Sequence, residues 1–149
     1  MSTTVQAALK ADVTSTPRLV AALIGRPSRS QTVFIECPSY CTEPHGSEPE
    51  IAVEDISHAS EMFGVQVPTM FDPNSVALEL FARVYADPAH EDERMRDAHI
   101  LVGDGSAEDA HLTPATADEL VSELRAFTAQ LGNAIQVARR ANGSQAVAA

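Results

Sequence analysis

Apolar and polar residues alternate through the middle of the chain, and this period of two predicts β-strands. In the clearest run, 75–85, every second position is apolar: Val76, Leu78, Leu80, Ala82 and Val84. We expect these side chains to form the buried face of a strand. The β-branched and apolar runs at 31–36, 59–67 and 98–102 predict further strands. The apolar run at 19–24 has no period that decides its type.

The pattern changes to that of a helix near the C-terminus. Thr113 suits the N-cap, and Pro114 suits the first helical position, where its missing N–H leaves no helical hydrogen bond unmade. Apolar residues then recur at spacings of three and four: Leu120, Leu124, Phe127, Leu131 and Ile135. Asn142 and Gly143 predict the end of this helix. Several strands and one long helix predict an α+β fold, in which the helix packs on one face of a mostly antiparallel sheet.

The length of 149 residues fits one domain of ordinary size. Segments 1–16 and 141–149 are rich in Ala, Ser, Thr and Gln and have no sustained apolar period. We therefore expect two disordered tails. The single folded domain is expected to span 17–140.

Charge and hydropathy exclude two classes of protein. The formal net charge is −11, and the Arg residues are scattered instead of clustered. A nucleic-acid-binding protein normally presents a basic face, so we expect no direct nucleic-acid binding. No segment approaches the roughly 20 apolar residues of a membrane span, and no basic N-terminal segment precedes a long apolar run. These features predict a cytoplasmic protein that does not bind membranes.

The stretch ECPSYCTEPH holds the only two cysteines of the chain, Cys37 and Cys41, and ends at His45. Thiolate and imidazole are the ligands that zinc prefers, so three candidate ligands lie within one short segment. Pro38 favours a helical turn directly after Cys37, and residues four apart lie on the same side of such a turn. Pro44 stops the turn from extending, so His45 would approach the metal from the following loop.

A structural zinc requires a fourth ligand, and His58 is the best candidate. It ends the segment 37–58, which has few apolar anchors and little predicted secondary structure. Such a long loop needs a reason to be ordered, and a metal bound at both ends supplies one. The predicted metal site is therefore Cys37, Cys41, His45 and His58, and it would hold a structural Zn²⁺.

The same residues resemble a family of small uncharacterised actinobacterial proteins. This family has a C-P-x-W-C-x3-H motif, matched by 37–45 with Tyr40 at the Trp position, and a later histidine, matched by His58. It closes with a helix that begins Leu-Thr-Pro-x-x-Ala, matched by 112–117. The resemblance covers about residues 33–132. It implies the same metal site and a β-rich fold with a C-terminal helix, and it implies no reaction.

Other uses of the two cysteines remain open at this point. They can form a redox-active dithiol, although such pairs normally have the spacing Cys-x2-Cys at the start of a helix. They can also simply pack in the core, as buried cysteines often do. Among the remaining histidines, the sequence favours His99 and His111 as surface groups or as groups next to a site.

The function that these features favour is a protein-binding or regulatory module with a structural zinc, acting on a protein partner or on a second copy of the chain. The first alternative is an enzyme, either a zinc hydrolase or a thiol-based redox protein that uses Cys37 and Cys41. A zinc-containing partner protein of the anti-sigma type is a further alternative, but the β-rich middle of the chain speaks against it. The sequence therefore favours a binding role over catalysis.

Overall fold

The structure of the protein is a computed structural model that describes residues 16–68, 70–72, 76–105 and 108–146. The chain divides into two compact units, with the boundary between Thr113 and Pro114. The strands lie in the first unit, and the second contains the long C-terminal helix. The predicted α+β class is confirmed.

The first two strands form an antiparallel hairpin. Strand β1 (Arg18–Ile24) pairs with β2 (Gln31–Cys37), and the register places Arg18 opposite Cys37. The apolar run whose type the sequence left open is therefore a strand. Gly25 follows β1 with φ = 112°, a conformation that L side chains rarely adopt, and this explains a glycine at the start of the turn.

The other strands of the first unit form a five-stranded antiparallel sheet. Its members are β3 (His58–Ala59), β4 (Phe63–Pro68), β5 (Val76–Ala86), β6 (His99–Gly103) and β7 (Ala110–Leu112). The order is β3-β5-β6-β7, and β4 also pairs with β5. Because β6 occupies one edge of β5, both β3 and β4 lie along its other edge.

Ser60 bridges the gap between β3 and β4. Its backbone N–H donates to the carbonyl oxygen of Val84 at 2.9 Å, and its hydroxyl accepts from the N–H of Val84 at 2.9 Å. The hydroxyl thus takes the place of a backbone acceptor where the strand is interrupted. The single strand predicted at 59–67 is therefore split into two short strands.

The core of the first unit lies close to the loop between β2 and β3. Ala22, Ile24 and Ile56 form its buried apolar cluster, with Val33 and Ile35 packed against it. The face of β5 that the alternation predicts as buried is not uniform, since Leu78 is 61% exposed and Ala86 is buried. Burial therefore increases toward the end of β5 that pairs with β3.

Some local structure differs from the sequence-based expectation. The hydropathy pattern predicted neither the 3-10 turn at 53–55 nor the one-turn helix α1 (Glu93–Arg96). Asp92 caps α1 by accepting a hydrogen bond from the N–H of Arg94 at 2.9 Å. Strand β7 was not predicted, because its three residues are too few to show a period.

The second unit is the predicted helix, α2 (Pro114–Ala146). It begins at the predicted proline, but it continues to Ala146, past the predicted end at Asn142 and Gly143. Its packing on a sheet stays a prediction. Of the predicted tails, residues 1–15 and 147–149 lie outside the described residues. Within the described part of the chain, no helix combines the length and the apolar content that a membrane crossing requires.

Candidate metal centre

The two cysteines lie at the end of β2 and on the turn that follows it. Cys37 is the last residue of β2, and the N–H of Cys41 donates to the carbonyl oxygen of Pro38 at 3.1 Å. This is the single turn that the proline was expected to favour. Both side chains are fully buried, and both thiols are free.

His45 reaches the cysteines from the next part of the loop. Pro44 accepts a hydrogen bond from the N–H of Ser47 at 2.9 Å, which forms a second turn. The carbonyl oxygen of His45 accepts from the N–H of Leu23 at 3.0 Å, so the loop is attached to the free edge of β1. These bonds hold the imidazole beside the two sulfurs.

His58 approaches from the five-stranded sheet. It is the first residue of β3, pairs with Ala86 of β5 and is only 5% exposed. Its Nδ1 is buried and has no hydrogen-bond partner among the described residues. Leaving a buried polar nitrogen without a hydrogen-bond partner is unfavourable, and a bound metal ion would satisfy this atom. The N–H of Thr42 donates to the carbonyl oxygen of Ala59 at 2.9 Å and ties the cysteine turn to β3.

The structure brings all four predicted residues together. One ligand atom from each of Cys37, Cys41, His45 and His58 lies within 4.8 Å of the other three. Nε2 of His45 lies 3.7 Å from Sγ of Cys37 and 3.4 Å from Sγ of Cys41. A tetrahedral zinc with ordinary bond lengths separates a sulfur ligand from a nitrogen ligand by about 3.6 Å. The observed distances therefore match those between ligands that bind one small metal ion.

Burial is the largest influence on the pKa of the two histidines at this site. It lowers the pKa of His45, which Glu43 partly opposes, and it lowers the pKa of His58. Both imidazoles are thus favoured in the neutral form, which is the form that binds a metal. These imidazoles are therefore better suited to bind a metal ion than to bind a proton.

Opposing effects act on the pKa of the Cys37 thiol. Burial raises its pKa, and the neighbouring Cys41 raises it further, whereas the Arg18 guanidinium lowers it. A thiol with a raised pKa is a poor nucleophile at neutral pH. This electrostatic environment disfavours a reactive thiol and is compatible with a metal ligand, since metal binding displaces the proton.

Tyr40 lies between the cysteines in sequence and is half-buried. Burial raises its pKa to about 12, and the nearby sulfurs of Cys41 and Cys37 contribute to the rise. Its hydroxyl therefore stays protonated at neutral pH. The ring therefore lies near both sulfurs of the candidate site.

A second polar cluster lies on the five-stranded sheet. Nε2 of the buried His99 lies 2.8 Å from Nδ1 of His111, and Nδ1 of His99 lies 2.9 Å from the carbonyl oxygen of Asp97. A carbonyl only accepts, so Nδ1 of a neutral His99 carries the proton, and His111 donates to its Nε2. Tyr85 packs edge-on against His99, and Arg83 lies over the Tyr85 ring. The sequence did not predict this cluster, since the register between β6 and β7 brings the two histidines together.

Comparison with known proteins gives one result. A family model described as "Domain of unknown function (DUF6907)" matches residues 6–141. The chain belongs to the DUF6907 family. The matched range includes the four clustered Cys and His residues and most of α2. No curated protein and no solved structure matches the chain significantly.

Proposed function

We propose that this DUF6907 domain binds a structural Zn²⁺ through Cys37, Cys41, His45 and His58 and acts as a protein-binding or regulatory module. The observation that carries the proposal is the close approach of four ligand atoms, all within 4.8 Å of one another. The buried Nδ1 of His58, which has no hydrogen-bond partner among the described residues, supports it independently.

The chemistry of the ligands favours zinc over other metals. Two thiolates and two neutral imidazoles form a Cys₂His₂ set, which zinc binds tetrahedrally in structural sites. Magnesium and calcium prefer oxygen ligands, and no carboxylate belongs to the group. Two thiolates also balance the charge of a divalent ion, so the complex places no net charge in this buried position.

A structural role fits better than a catalytic one. Four protein ligands fill the tetrahedral positions, whereas a catalytic zinc normally keeps one position for water or substrate. Cys37 and Cys41 are 0% and 1% exposed, so a substrate has no direct access to the sulfurs. These features disfavour the zinc hydrolase, and the raised pKa of Cys37 disfavours the thiol-based redox protein.

The bound metal would connect the two sheets of the first unit. Cys37 belongs to β2 in the hairpin, and His58 belongs to β3 in the five-stranded sheet. Among the described residues, no strand of the hairpin pairs with a strand of the larger sheet. Zinc would therefore supply a cross-link that backbone pairing does not provide. Its most direct effect would be to order the loop between the two sheets.

A protein-binding role is supported by the outer face of the hairpin. Leu19 and Phe34 lie on the face opposite the core and are each 72% exposed. Contiguous exposed apolar patches mark surfaces that bind other proteins, and these two side chains share one face of the hairpin. The net charge of −11 favours a basic partner. The cytoplasmic location, the actinobacterial origin and self-association stay predictions of this proposal.

Metal content measured by mass spectrometry tests the metal site. The chain should be purified without a histidine tag, beside Cys41→Ser and beside His90→Asn, which changes an exposed histidine outside the group. We expect one zinc per chain in the unsubstituted protein and in His90→Asn, and a large loss in Cys41→Ser. Equal zinc in all three proteins, or none in any, would contradict the proposed site.

Sedimentation of the zinc-loaded chain distinguishes the two kinds of partner. A dimer that Phe34→Ser converts to monomers would identify self-association through the hairpin. A monomer at all concentrations would direct the search to a different protein with a basic surface. A dimer unaffected by Phe34→Ser would exclude this hairpin face as the self-association surface.

A further inference from the structure

Arg18 contacts both cysteine-bearing parts of the candidate metal centre. It is the first residue of β1 and lies directly opposite Cys37 in the hairpin register. Its Nη2 donates to the carbonyl oxygen of Cys41 at 3.0 Å. Residues directly opposite each other in an antiparallel pair carry their side chains on the same face, so the side chains of Arg18 and Cys37 share one face of the hairpin. One cation thus connects the end of β2 to the turn that carries the second cysteine.

We infer that Arg18 is a positioning residue for the metal, which sets the orientation of the cysteine turn and places its positive charge on the hairpin face that carries Cys37. The inference rests on the proposed zinc site. Arg18 supplies no ligand atom and lies at the start of the hairpin, whereas the Cys and His motif begins at its end.

The two contacts act on different parts of the site. The bond to the Cys41 carbonyl limits the rotation of the turn and therefore holds Sγ of Cys41 toward the other ligands. The pairing with Cys37 places the positive charge of Arg18 on the face that carries this sulfur, where it attracts the negative charge of a metal-bound thiolate. Groups that hydrogen-bond to the ligands of a metal site commonly change metal affinity by about 10–100-fold when they are removed.

The geometry of the guanidinium explains an arginine at this position. Its planar fork presents several N–H donors in fixed directions, so one of them can bond the Cys41 carbonyl while the charge stays on the face of Cys37. A lysine ammonium keeps the charge but does not reproduce the fork. Arg18 is exposed overall, so water screens its charge, and we expect the direct hydrogen bond to the Cys41 carbonyl to carry most of the effect.

Zinc affinity measured by competition with a chromophoric chelator tests the inference. The variants are Arg18→Met, which removes charge and donors, and Arg18→Lys, which keeps the charge. Arg29→Met is the matched control, since Arg29 is exposed in the turn of the same hairpin. We expect Arg18→Met to weaken zinc binding by about 10–100-fold relative to this control, and Arg18→Lys to restore part of the loss.

Cobalt substitution separates a direct role from a general loss of structure. In Co²⁺-loaded protein, the sulfur-to-metal charge-transfer band reports the electron density on the thiolates. Removing the guanidinium should raise the energy of the sulfur electrons, so the band of Arg18→Met should move to longer wavelength. Arg18→Lys should show a smaller shift. This spectroscopic test remains available if one variant binds zinc too weakly for the competition measurement.

The outcomes separate this inference from the proposed function. If the unsubstituted chain binds neither Zn²⁺ nor Co²⁺, the zinc site and the role of Arg18 are both wrong. If it binds zinc but Arg18→Met stays within twofold of Arg29→Met and keeps the same cobalt band, only the role of Arg18 is wrong. If Arg18→Met does not fold, the Arg18→Lys spectrum decides, and an unshifted band with full affinity would overturn the inference.

Discussion

Cys37 and His58 belong to different sheets, yet their ligand atoms lie within 4.8 Å of each other. The segment between them supplies the two other candidate ligands and little apolar core beyond Ile56. The backbone bonds that order this segment run to β1 on one side and to β3 on the other. A metal at this point would therefore hold together parts of the fold that otherwise share few contacts.

The first prediction concerns the stability of the loop 37–58. Cys41→Ser removes one ligand, and because metal binding is coupled to folding, we expect a loss of several kcal/mol in the free energy of unfolding. Amide hydrogen exchange should increase mainly in 37–58, with smaller changes in β5 and β6. Chelation of the unsubstituted protein should produce the same exchange pattern. Unchanged melting and unchanged exchange in Cys41→Ser would show that the loop is ordered without metal.

The second prediction concerns the bridge between Ser60 and Val84. Ser60→Ala leaves the part-buried N–H of Val84 without its hydroxyl acceptor, so we expect a loss of about 1–3 kcal/mol. The control is Ser47→Ala, since that hydroxyl is exposed and donates to the carbonyl of Pro44 at 2.8 Å. Urea unfolding of both variants gives the comparison. If Ser60→Ala costs no more than Ser47→Ala, the bridge does not hold β3 to β5.

The third prediction concerns the pH dependence that His111 introduces. Burial lowers the pKa of His111 from its ordinary value of 6.5, and His99 lowers it further, although Asp109 opposes the shift. The unfolded chain therefore binds more protons than the folded chain below about pH 6.5, and stability falls as the pH decreases. The loss should begin near pH 6.5 and level off below the lowered pKa of the folded protein.

His111→Asn is the variant that isolates this effect. The asparagine amide can still donate to Nε2 of His99, but it does not titrate. We expect the free energy of unfolding to fall less steeply in His111→Asn than in the unsubstituted protein as the pH decreases from 7 to 5. The histidines that do not contact His111 are common to both proteins, so their contributions cancel in the difference. If the free energy of unfolding fell equally with pH in the two proteins, His111 would have the same pKa in the folded and the unfolded chain.

The fourth prediction compares two glycines. A Cβ at Gly64 would lie 2.6 Å from the carbonyl oxygen of Leu80 in the adjacent strand, which cannot move without disturbing the pairing of β4 and β5. We expect Gly64→Ala to destabilise the sheet by about 1–3 kcal/mol. A Cβ at Gly132 would have no atom within 4 Å. Gly132→Ala should therefore stabilise helix α2 by about 1 kcal/mol, because alanine has the higher helix propensity. Thermal melts and helical circular dichroism of the two variants test the opposite signs.

The amino-acid pattern was sufficient for the elements that have a clear period or a specific local signal. The alternation at 75–85 predicted β5, and Thr113 with Pro114 predicted the start of α2. The α+β class followed from the order of these elements. Strand β7 and the one-turn helix α1 were missed, because three or four residues do not display a period and are stabilised by their neighbours.

The candidate metal residues were also identified from the sequence. Cys37, Cys41 and His45 were found by residue type and spacing, since a turn brings residues four apart to the same side. His58 was chosen because the segment between it and Cys37 needed an anchor. The structure places all four together. Arg18 and the pair of His99 and His111 had no such signal, since their contacts depend on which strands become neighbours.

The sequence by itself therefore determined the local features of this protein: which segments extend, where α2 begins, and which side chains can bind a metal. These depend on residues that are close in the chain. The tertiary structure alone decided that β3 and β4 share one edge of β5, that Arg18 lies opposite Cys37, and that His99 bonds to His111. Such pairings depend on strand register, and an isolated strand carries no information about the partner that its backbone will bond.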